Sequence, residues 1–390
     1  MTHLRGREDG RTAISAAMTA DAVRTKRIDT PAPCRYAVVG SGWRALAYLR
    51  LAHLLPDLFE VTGAVTRREE PGRQVETDFG VRSFRSVEDA LAADRPDFVV
   101  LSVPWPVTPE LTRALVERGV PVLAETPPAP DVDGMRSLWA DVGAADLVQV
   151  AEQYPLMPLH AARLGLVRDG LIGVPGSAQV SSTHLYHAVA LMRAALGAPI
   201  GPVTVDARAF HAPLVDPITP AGWTFDAEPK RARTVLATID FGDDRSGLYD
   251  FTDNQWWNPV RPDRFTVRGS TGEVHDETVV RMADATTPVV SRIERAVTGV
   301  GMNYEGADLT ALVLDGRPVF RNPYEGARLN DDEVGTAALL SATGAWARGE
   351  GPAPYPLAEG MHDHRVGIAI EESAERGTAV EVGDEAWGGR

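Results

Sequence analysis

Tyr36-Ala37-Val38-Val39-Gly40-Ser41-Gly42-Trp43-Arg44-Ala45 is the stretch that decides the fold. A short run rich in β-branched residues stops at a Gly-x-Gly-x-x-Ala turn, and a helical segment, Leu46 to Leu54, follows at once. A strand that ends in such a turn brings the backbone N–H groups of a helix N-terminus up to a pyrophosphate. Gly40 allows the tight turn, Gly42 removes the Cβ that would block the phosphate, and Ala45 lets helix and strand pack closely. An ordinary βα loop also explains a glycine-rich turn, but the strand before this one and the helix after it favour nucleotide binding.

Outward from this turn, strands and helices alternate from Arg35 to about Val150. Glu60 to Val65 reads as a second strand, ending in Thr66-Arg67-Arg68. Val87 to Ala93 reads as a short helix, and Asp97 to Val103 as a buried strand halted by Pro104 and Pro106. Pro109 to Arg118 and Asp131 to Val142 are predicted helices, and Val120 to Ala124 and Leu147 to Ala151 predicted strands. This rhythm predicts an α/β domain with a doubly wound parallel sheet over residues 34–155. Beyond it, a helix from Pro158 to Asp169 leads into alternating runs such as Thr204 to Phe210, Val235 to Phe241 and Gly247 to Thr252. These predict an α+β domain over 156–390 with a large, mostly antiparallel open sheet. Helices from His187 to Leu196, Glu333 to Ala347 and Leu357 to Arg376 accompany it.

Composition excludes several classes. A chain of 390 residues with 44% apolar and 24% charged residues has core material for two globular domains. A net charge of −15 argues against a nucleic-acid partner, and no apolar run reaches the roughly 18 residues of a membrane span. Residues 1–33 are polar, lack the apolar core of a secretory signal and are expected to be a disordered tail. Cys34 is the only cysteine, which excludes an intrachain disulfide and a cysteine-based metal site and fits a cytoplasmic protein. Nearly all basic residues are arginine; lysine occurs only at Lys26 and Lys230.

The nucleotide's identity is addressed at the end of the second strand. An NAD-type site places an acidic residue there for the ribose 2′-OH. Here the position is near Thr66, followed by Arg67 and Arg68, a set that suits a 2′-phosphate gripped by guanidinium groups. NADP is therefore favoured, with NAD as the alternative.

Taken together, four segments resemble the Gfo/Idh/MocA oxidoreductases, the family of glucose–fructose oxidoreductase and inositol dehydrogenase, over Arg35 to about Gly377. They are the Gly40-Ser41-Gly42 loop, Leu101-Ser102-Val103-Pro104, Val122-Leu123-Ala124-Glu125-Thr126-Pro127, and His187-Ala188-Val189-Ala190-Leu191-Met192-Arg193-Ala194-Ala195-Leu196-Gly197. The resemblance implies that Gly40, Ser41, Gly42, Trp43 and Arg44 hold the pyrophosphate and that Ser102, Val103 and Pro104 lie by the ribose. Glu125, Thr126 and Gln153 would complete the cofactor site, and His187 would be the acid or base. It also implies a small-molecule substrate and a homo-dimer or homo-tetramer formed through the C-terminal sheet. Two positions depart from the family pattern. Thr126 stands where the family has the lysine of Glu-Lys-Pro, and Thr183 where an aspartate often precedes the catalytic histidine.

Alcohol oxidation needs a base for the hydroxyl proton, and carbonyl reduction needs the matching acid. His187 is suited to either role by its ordinary pKa. With neither lysine nor aspartate beside it, burial and local dipoles are expected to be its only tuning. Tyr186, His184 and Tyr154 are candidate helpers, and for His184 and Tyr186 packing in the domain interface is the alternative use. Thr126 and Thr183 offer hydrogen bonds without charge. Asn254-Gln255-Trp256-Trp257-Asn258-Pro259 presents paired indoles for either a sugar ring or an oligomer interface, and adjacent residues on a strand would point to opposite faces. His362-Asp363-His364 sits on a helix, where three consecutive residues diverge by about 100° each, so no metal site is expected. Asp363 matches an acidic residue that the resemblance marks as structural. The Asp243-Asp244 pair reads as a solvated hairpin tip. The expected activity is hydride transfer between nicotinamide and a carbohydrate-like or polyhydroxylated molecule. The alternatives are an NADPH-dependent imine or ketone reductase and a nucleotide-binding member without turnover.

Overall fold

A computed structural model describes residues 32–219, 221–301 and 306–389. All but two residues of the expected N-terminal tail lie outside the described residues.

The first domain runs β1 (Cys34–Val39), α1 (Trp43–Leu54), β2 (Phe59–Val65), α2 (Glu69–Phe79), β3 (Ser83–Phe84), α3 (Val87–Ala93), β4 (Phe98–Leu101), α4 (Thr108–Val116), β5 (Val122–Ala124), α5 (Val132–Val142) and β6 (Val148–Val150). Its six strands lie in the order β3-β2-β1-β4-β5-β6, and each strand pairs with its neighbours in parallel. This is the doubly wound dinucleotide-binding order, with the switch point between β1 and β4. The central strands are apolar on both faces because helices cover both: Tyr36, Val38, Phe98, Val100 and Leu123 are wholly buried. Sequence patterning passes over α2 and β3. The helix begins Glu69-Glu70-Pro71-Gly72 and buries only Gly72 and Val75, so it carries few apolar residues to mark it.

The second domain contains α6 (Pro158–Arg168), β7 (Pro175–Ser181), α7 (Leu185–Leu196), β8 (Val203–Leu214), the short pair β9 (Ile218–Thr219) and β10 (Gly222–Trp223), β11 (Lys230–Asp240) and β12 (Ser246–Thr252). It continues through β13 (Arg264–Gly269), β14 (Gly272–His275), β15 (Thr278–Met282), β16 (Pro288–Arg292), β17 (Glu294–Val297), β18 (Leu309–Leu314), β19 (Arg317–Arg321), α8 (Asp331–Ala347), α9 (Leu357–Arg376) and β20 (Val380–Val382). Nine strands form one sheet, β16-β15-β14-β13-β7-β12-β11-β8-β20, antiparallel except where β12 runs parallel to β7. Its inner face buries Val205, Ala207, Val235, Ala237 and Ile239 with Val189, Met192 and Ile370 of α7 and α9. The strands alternate accordingly: Val235, Ala237 and Ile239 are buried while Leu236, Thr238 and Asp240 face outward. Asp243 and Asp244, both at positive φ, sit in the turn between β11 and β12 as expected.

One packing contact crosses the expected division at residue 155. α8, far along the chain, packs on the first domain: Val334, Ala337, Leu339 and Leu340 share a buried cluster with Tyr36 and Val38 of β1 and Tyr48 and Leu49 of α1. The approach is close because of Gly344, where a Cβ would fall 2.4 Å from the Cys34 sulfur. One face of the first domain's sheet is therefore covered from beyond residue 155. Nothing local announces this, since α8 is apolar nearly all round and its pattern does not say which sheet it covers.

Candidate active site

A cleft of about 1460 Å³ runs between the domains along the C-terminal ends of β1, β2, β4 and β5, where an open parallel sheet binds ligands. Its volume exceeds the roughly 1,000 Å³ upper range for a drug-sized ligand, so a dinucleotide and a second reactant fit together. Gly40, Ser41, Gly42, Trp43, Arg44, Thr66, Arg67, Arg68, Ser102, Val103, Pro104, Glu125, Thr126, Gln153, Tyr154, His184, Tyr186, His187, Trp256 and Trp257 all line it. Thr183 lies just behind this wall, fully buried.

The turn after β1 fits a pyrophosphate. Gly40 has φ +135° and abuts the chain after β4, so a Cβ there would lie 2.0 Å from the Ser102 carbonyl oxygen. Before Gly42 the space is open, with nothing within 4 Å of a built Cβ. Gly42 caps α1 and no side chain bonds its first turn, so those N–H groups face the cleft unpaired by protein. Arg44 departs from its expected part. Its Nε donates to Glu125 Oε1 at 2.8 Å, and the remaining nitrogens to Asp332 Oδ2 at 3.0 Å and Thr336 Oγ1 at 3.2 Å. The guanidinium thus ties the phosphate-binding helix to Glu125 and α8, and only the backbone N–H of Arg44 remains for a phosphate. Tyr48 donates to the same Glu125 oxygen, so Glu125 enters the site as the anchor of this cluster. Gln153 joins it by donating Nε2 to Asp332 Oδ1 at 2.8 Å.

At the adenosine end, Thr66 is buried and held by an arginine that sequence reasoning did not single out. Arg85 Nη1 donates to Thr66 Oγ1 at 2.7 Å, and Thr66 donates to the Arg68 carbonyl at 2.9 Å. Arg85 is thereby committed to shaping the loop. Arg67 and Arg68 are exposed, and no described side chain pairs with either guanidinium. Arg118 also reaches this end but pairs with Glu88 at 2.9 Å.

The reacting end holds the principal correction. His187 is not tuned by burial and dipoles alone: its Nδ1 lies 2.5 Å from Glu152 Oε2, and both side chains are buried. Burial pushes the Glu152 carboxyl up to about 8, opposed by the Tyr154 backbone N–H, and pulls the His187 imidazole down to about 3. Both shifts favour the uncharged pair, in which Glu152 O–H donates to Nδ1 and the proton on the other ring nitrogen, Nε2, is left for a reactant. Glu152 follows β6 at the same sheet edge as the glycine turn.

Of the two threonines at the departing positions, Thr126 lines the cleft and Thr183 Oγ1 accepts from the Trp256 indole N–H at 3.4 Å; burial sets the state of the tyrosines beside them, Tyr186 and Tyr154. Burial raises both phenols, which stay protonated at neutral pH. Tyr154 and Tyr186 flank His187, each with ring centroids 4.5 Å from the imidazole. His184 packs edge-on against Tyr186, His187 and Trp256 and is held neutral by burial. Trp256 and Trp257 occupy one turn of 3₁₀ helix, Gln255–Trp257, instead of a strand, so both indoles line the cleft. Gln255 pins that turn, donating to the Ser181 carbonyl at 2.6 Å and accepting from the Thr252 N–H at 3.0 Å. Away from the cleft, Asp363 accepts from Arg193 at 2.8 Å and from Tyr355, while His364 stacks edge-on against Tyr186. The three residues His362 to His364 thus serve separate surroundings. Among the described residues no helix is long and apolar enough to cross a membrane.

Residues 34–152 match a family model described as the oxidoreductase family with an NAD-binding Rossmann fold, the Gfo/Idh/MocA model. No curated protein sequence matches the chain. Among solved structures, the chain is similar to a myo-inositol dehydrogenase from Corynebacterium glutamicum, with 18% identity and a TM-score of 0.62 over 90% of this chain and 100% of that one. It is similar to levoglucosan dehydrogenase solved with NADH and levoglucosan, with 17% identity and a TM-score of 0.65 over 90% and 99%. It is also similar to GenD2 from gentamicin A biosynthesis solved with NAD, with 21% identity and a TM-score of 0.60 over 91% and 98%. At these identities the likeness is one of fold.

Proposed function

We propose that this chain, whose residues 34–152 carry the NAD-binding domain of the Gfo/Idh/MocA oxidoreductases, interconverts an alcohol and a carbonyl on a carbohydrate-like or polyhydroxylated small molecule, with NADP preferred over NAD. The observation that carries the reading is the buried Glu152–His187 pair, whose imidazole lines the same cleft as the uncapped Gly40-Ser41-Gly42 turn. A bound nicotinamide supplies or accepts the hydride.

The residues do the rest. The α1 N-terminus and Ser41 hold the pyrophosphate, and Arg67 and Arg68 hold the 2′-phosphate. Thr126, on the cleft wall, positions the carboxamide or the substrate. For reduction, Nε2–H of His187 gives its proton to the carbonyl oxygen, and the Glu152 proton passes to Nδ1, leaving a carboxylate that accepts Nδ1–H. For oxidation the same protons return: Nε2 takes the hydroxyl proton and Glu152 is reprotonated. The pair therefore carries one transferable proton whose release follows the raised Glu152 value, with Glu125, Arg44 and Asp332 as the neighbouring charges. A non-catalytic nucleotide binder has no use for a buried carboxylate held against an imidazole. We further propose a homo-oligomer formed through the outer face of the nine-stranded sheet, where Phe210, Leu236 and Leu248 are exposed.

The test is a titration of purified protein with NADPH and with NADH, read by tryptophan quenching and energy transfer to the reduced nicotinamide. Trp43, 76% exposed beside the glycine turn, is a built-in reporter. NADPH is expected to bind more tightly, and replacing Arg67 and Arg68 together with alanine should erase the difference. Failure of folded protein to bind either nucleotide would sink the proposal.

A further inference from the structure

The arginines on the cleft wall all come from one part of the chain. Every guanidinium there, on Arg44, Arg67, Arg68, Arg85 and Arg118, belongs to the nucleotide domain. The chain beyond residue 155 contributes three carboxylates, Asp263, Asp332 and Glu333, and neither arginine nor lysine. Asp332 is consumed by Arg44 and Gln153, and Glu333 by Arg50 at 2.8 Å. Asp263 has no hydrogen-bond or ion-pair partner among the described residues. Arg163, whose charge acts on Asp263, donates to the Asp276 carbonyl at 2.8 Å and lies over the Phe265 ring at 5.2 Å.

Around Asp263 the wall is aromatic and holds unused polar atoms. Rings run continuously from the reacting pair toward it: His187 to Tyr154 at 4.5 Å, Tyr154 to His160 at 6.3 Å, and His160 to Phe265 at 5.2 Å, two residues from Asp263 in the chain. His160 is 7% exposed and Ser182 8%, both line the cleft, and His160 Nδ1 and Ser182 Oγ have no partner. A buried polar atom left unpaired is costly, so a ligand that supplies the missing bonds is favoured. Trp256 and Trp257 present indole surface to the same space. Carboxylate plus aromatic rings is the chemistry that holds an ammonium group, and unpaired neutral donors and acceptors suit hydroxyls.

We infer that the second reactant is a cation, an amine-bearing polyhydroxylated molecule whose protonated nitrogen pairs with Asp263 while His160 and Ser182 take its hydroxyls. This rests on the oxidoreductase reading only for the identity of the cleft's other occupant. It gives the threonine at position 126 a consequence: a lysine there would place a like charge in the space such a substrate enters.

The experiment is calorimetric titration of the full chain saturated with NADP⁺, at neutral pH and low salt, using glucosamine, N-acetylglucosamine and glucose. Glucosamine should bind about tenfold more tightly than the two neutral sugars, an advantage of about 1.4 kcal/mol. The advantage should vanish in Asp263→Asn and shrink as salt is raised. Equal binding of the three sugars, tighter binding of a neutral one, or a preference that survives Asp263→Asn would overturn the inference. The wild-type comparison stands even if the variant fails to fold. NADPH formation, followed separately by absorbance, tells the two readings apart. Asp263-dependent amine binding without turnover sinks the oxidoreductase reading and leaves this one. Oxidation of neutral sugars without an amine preference does the reverse.

Discussion

Position 152 decides the chemistry. Because the Glu152 value is raised to about 8 while His187 is lowered to about 3, the pair is protonated below pH 8 and anionic above it. Reduction requires the protonated form, so its kcat/KM should be flat at neutral pH and fall as pH rises through about 8; oxidation should rise through the same value. Glu152→Gln cannot release that proton. Turnover should drop about 10²-fold or more, as for His187→Ala, with nucleotide binding spared in both, and the inflection near pH 8 should disappear. An unchanged pH profile in Glu152→Gln would remove the carboxyl from the mechanism. The same residue makes a stability prediction of definite sign. A carboxyl whose folded value lies above its ordinary 4.5 binds more protons folded than unfolded, so it lowers stability progressively between pH 4.5 and 8. Thermal unfolding at pH 8.5 should therefore show Glu152→Gln melting above the parent, whereas at pH 4 the two should converge.

Individual elements show how far the sequence could be read. The glycine turn, β1, α3 and α9 are legible because their signals are local: turn residues, a short apolar run, helical periodicity bounded by caps. His187 is legible as a motif position. Its partner is not, because residues 152 and 187 meet only when β6 and α7 are brought together across the domain boundary, and a lone glutamate after a strand has no spacing signature. Trp256 and Trp257 mislead for the opposite reason, since a β-rich pair placed on a 3₁₀ turn no longer alternates. α8 is legible as a helix but not in its allegiance. That allegiance is testable: Leu340 is wholly buried against β1 and α1, so Leu340→Ala should cost about 2–5 kcal/mol. Nucleotide should protect the variant against heat through binding linkage. A loss confined to the C-terminal domain, seen by hydrogen exchange, would contradict the packing.

Over the whole molecule, the helices cover one face of the nine-stranded sheet and leave the other open. Phe210, Leu236 and Leu248 are 53%, 40% and 38% exposed on adjacent strands β8, β11 and β12. An outer apolar patch of this kind fits a self-complementary interface about a two-fold axis. Light scattering should give at least a dimer, and Leu236→Arg should shift it toward monomer while leaving the cleft intact. A monomeric parent protein would refute the interface.

The return of α8 to β1 bears on how the molecule is made. A ribosome delivers the chain from its N-terminus, and the first six strands emerge long before residues 331–347 do. Until then Tyr36, Val38 and Tyr48 have α1 but lack α8 to lie against, and Arg44 has no Asp332. The nascent nucleotide domain must wait, with a greasy furrow open to water, for a segment not yet translated. Its maturation is tied to completion of the whole polypeptide, and chaperones that shelter apolar surface have a defined place to act during that interval.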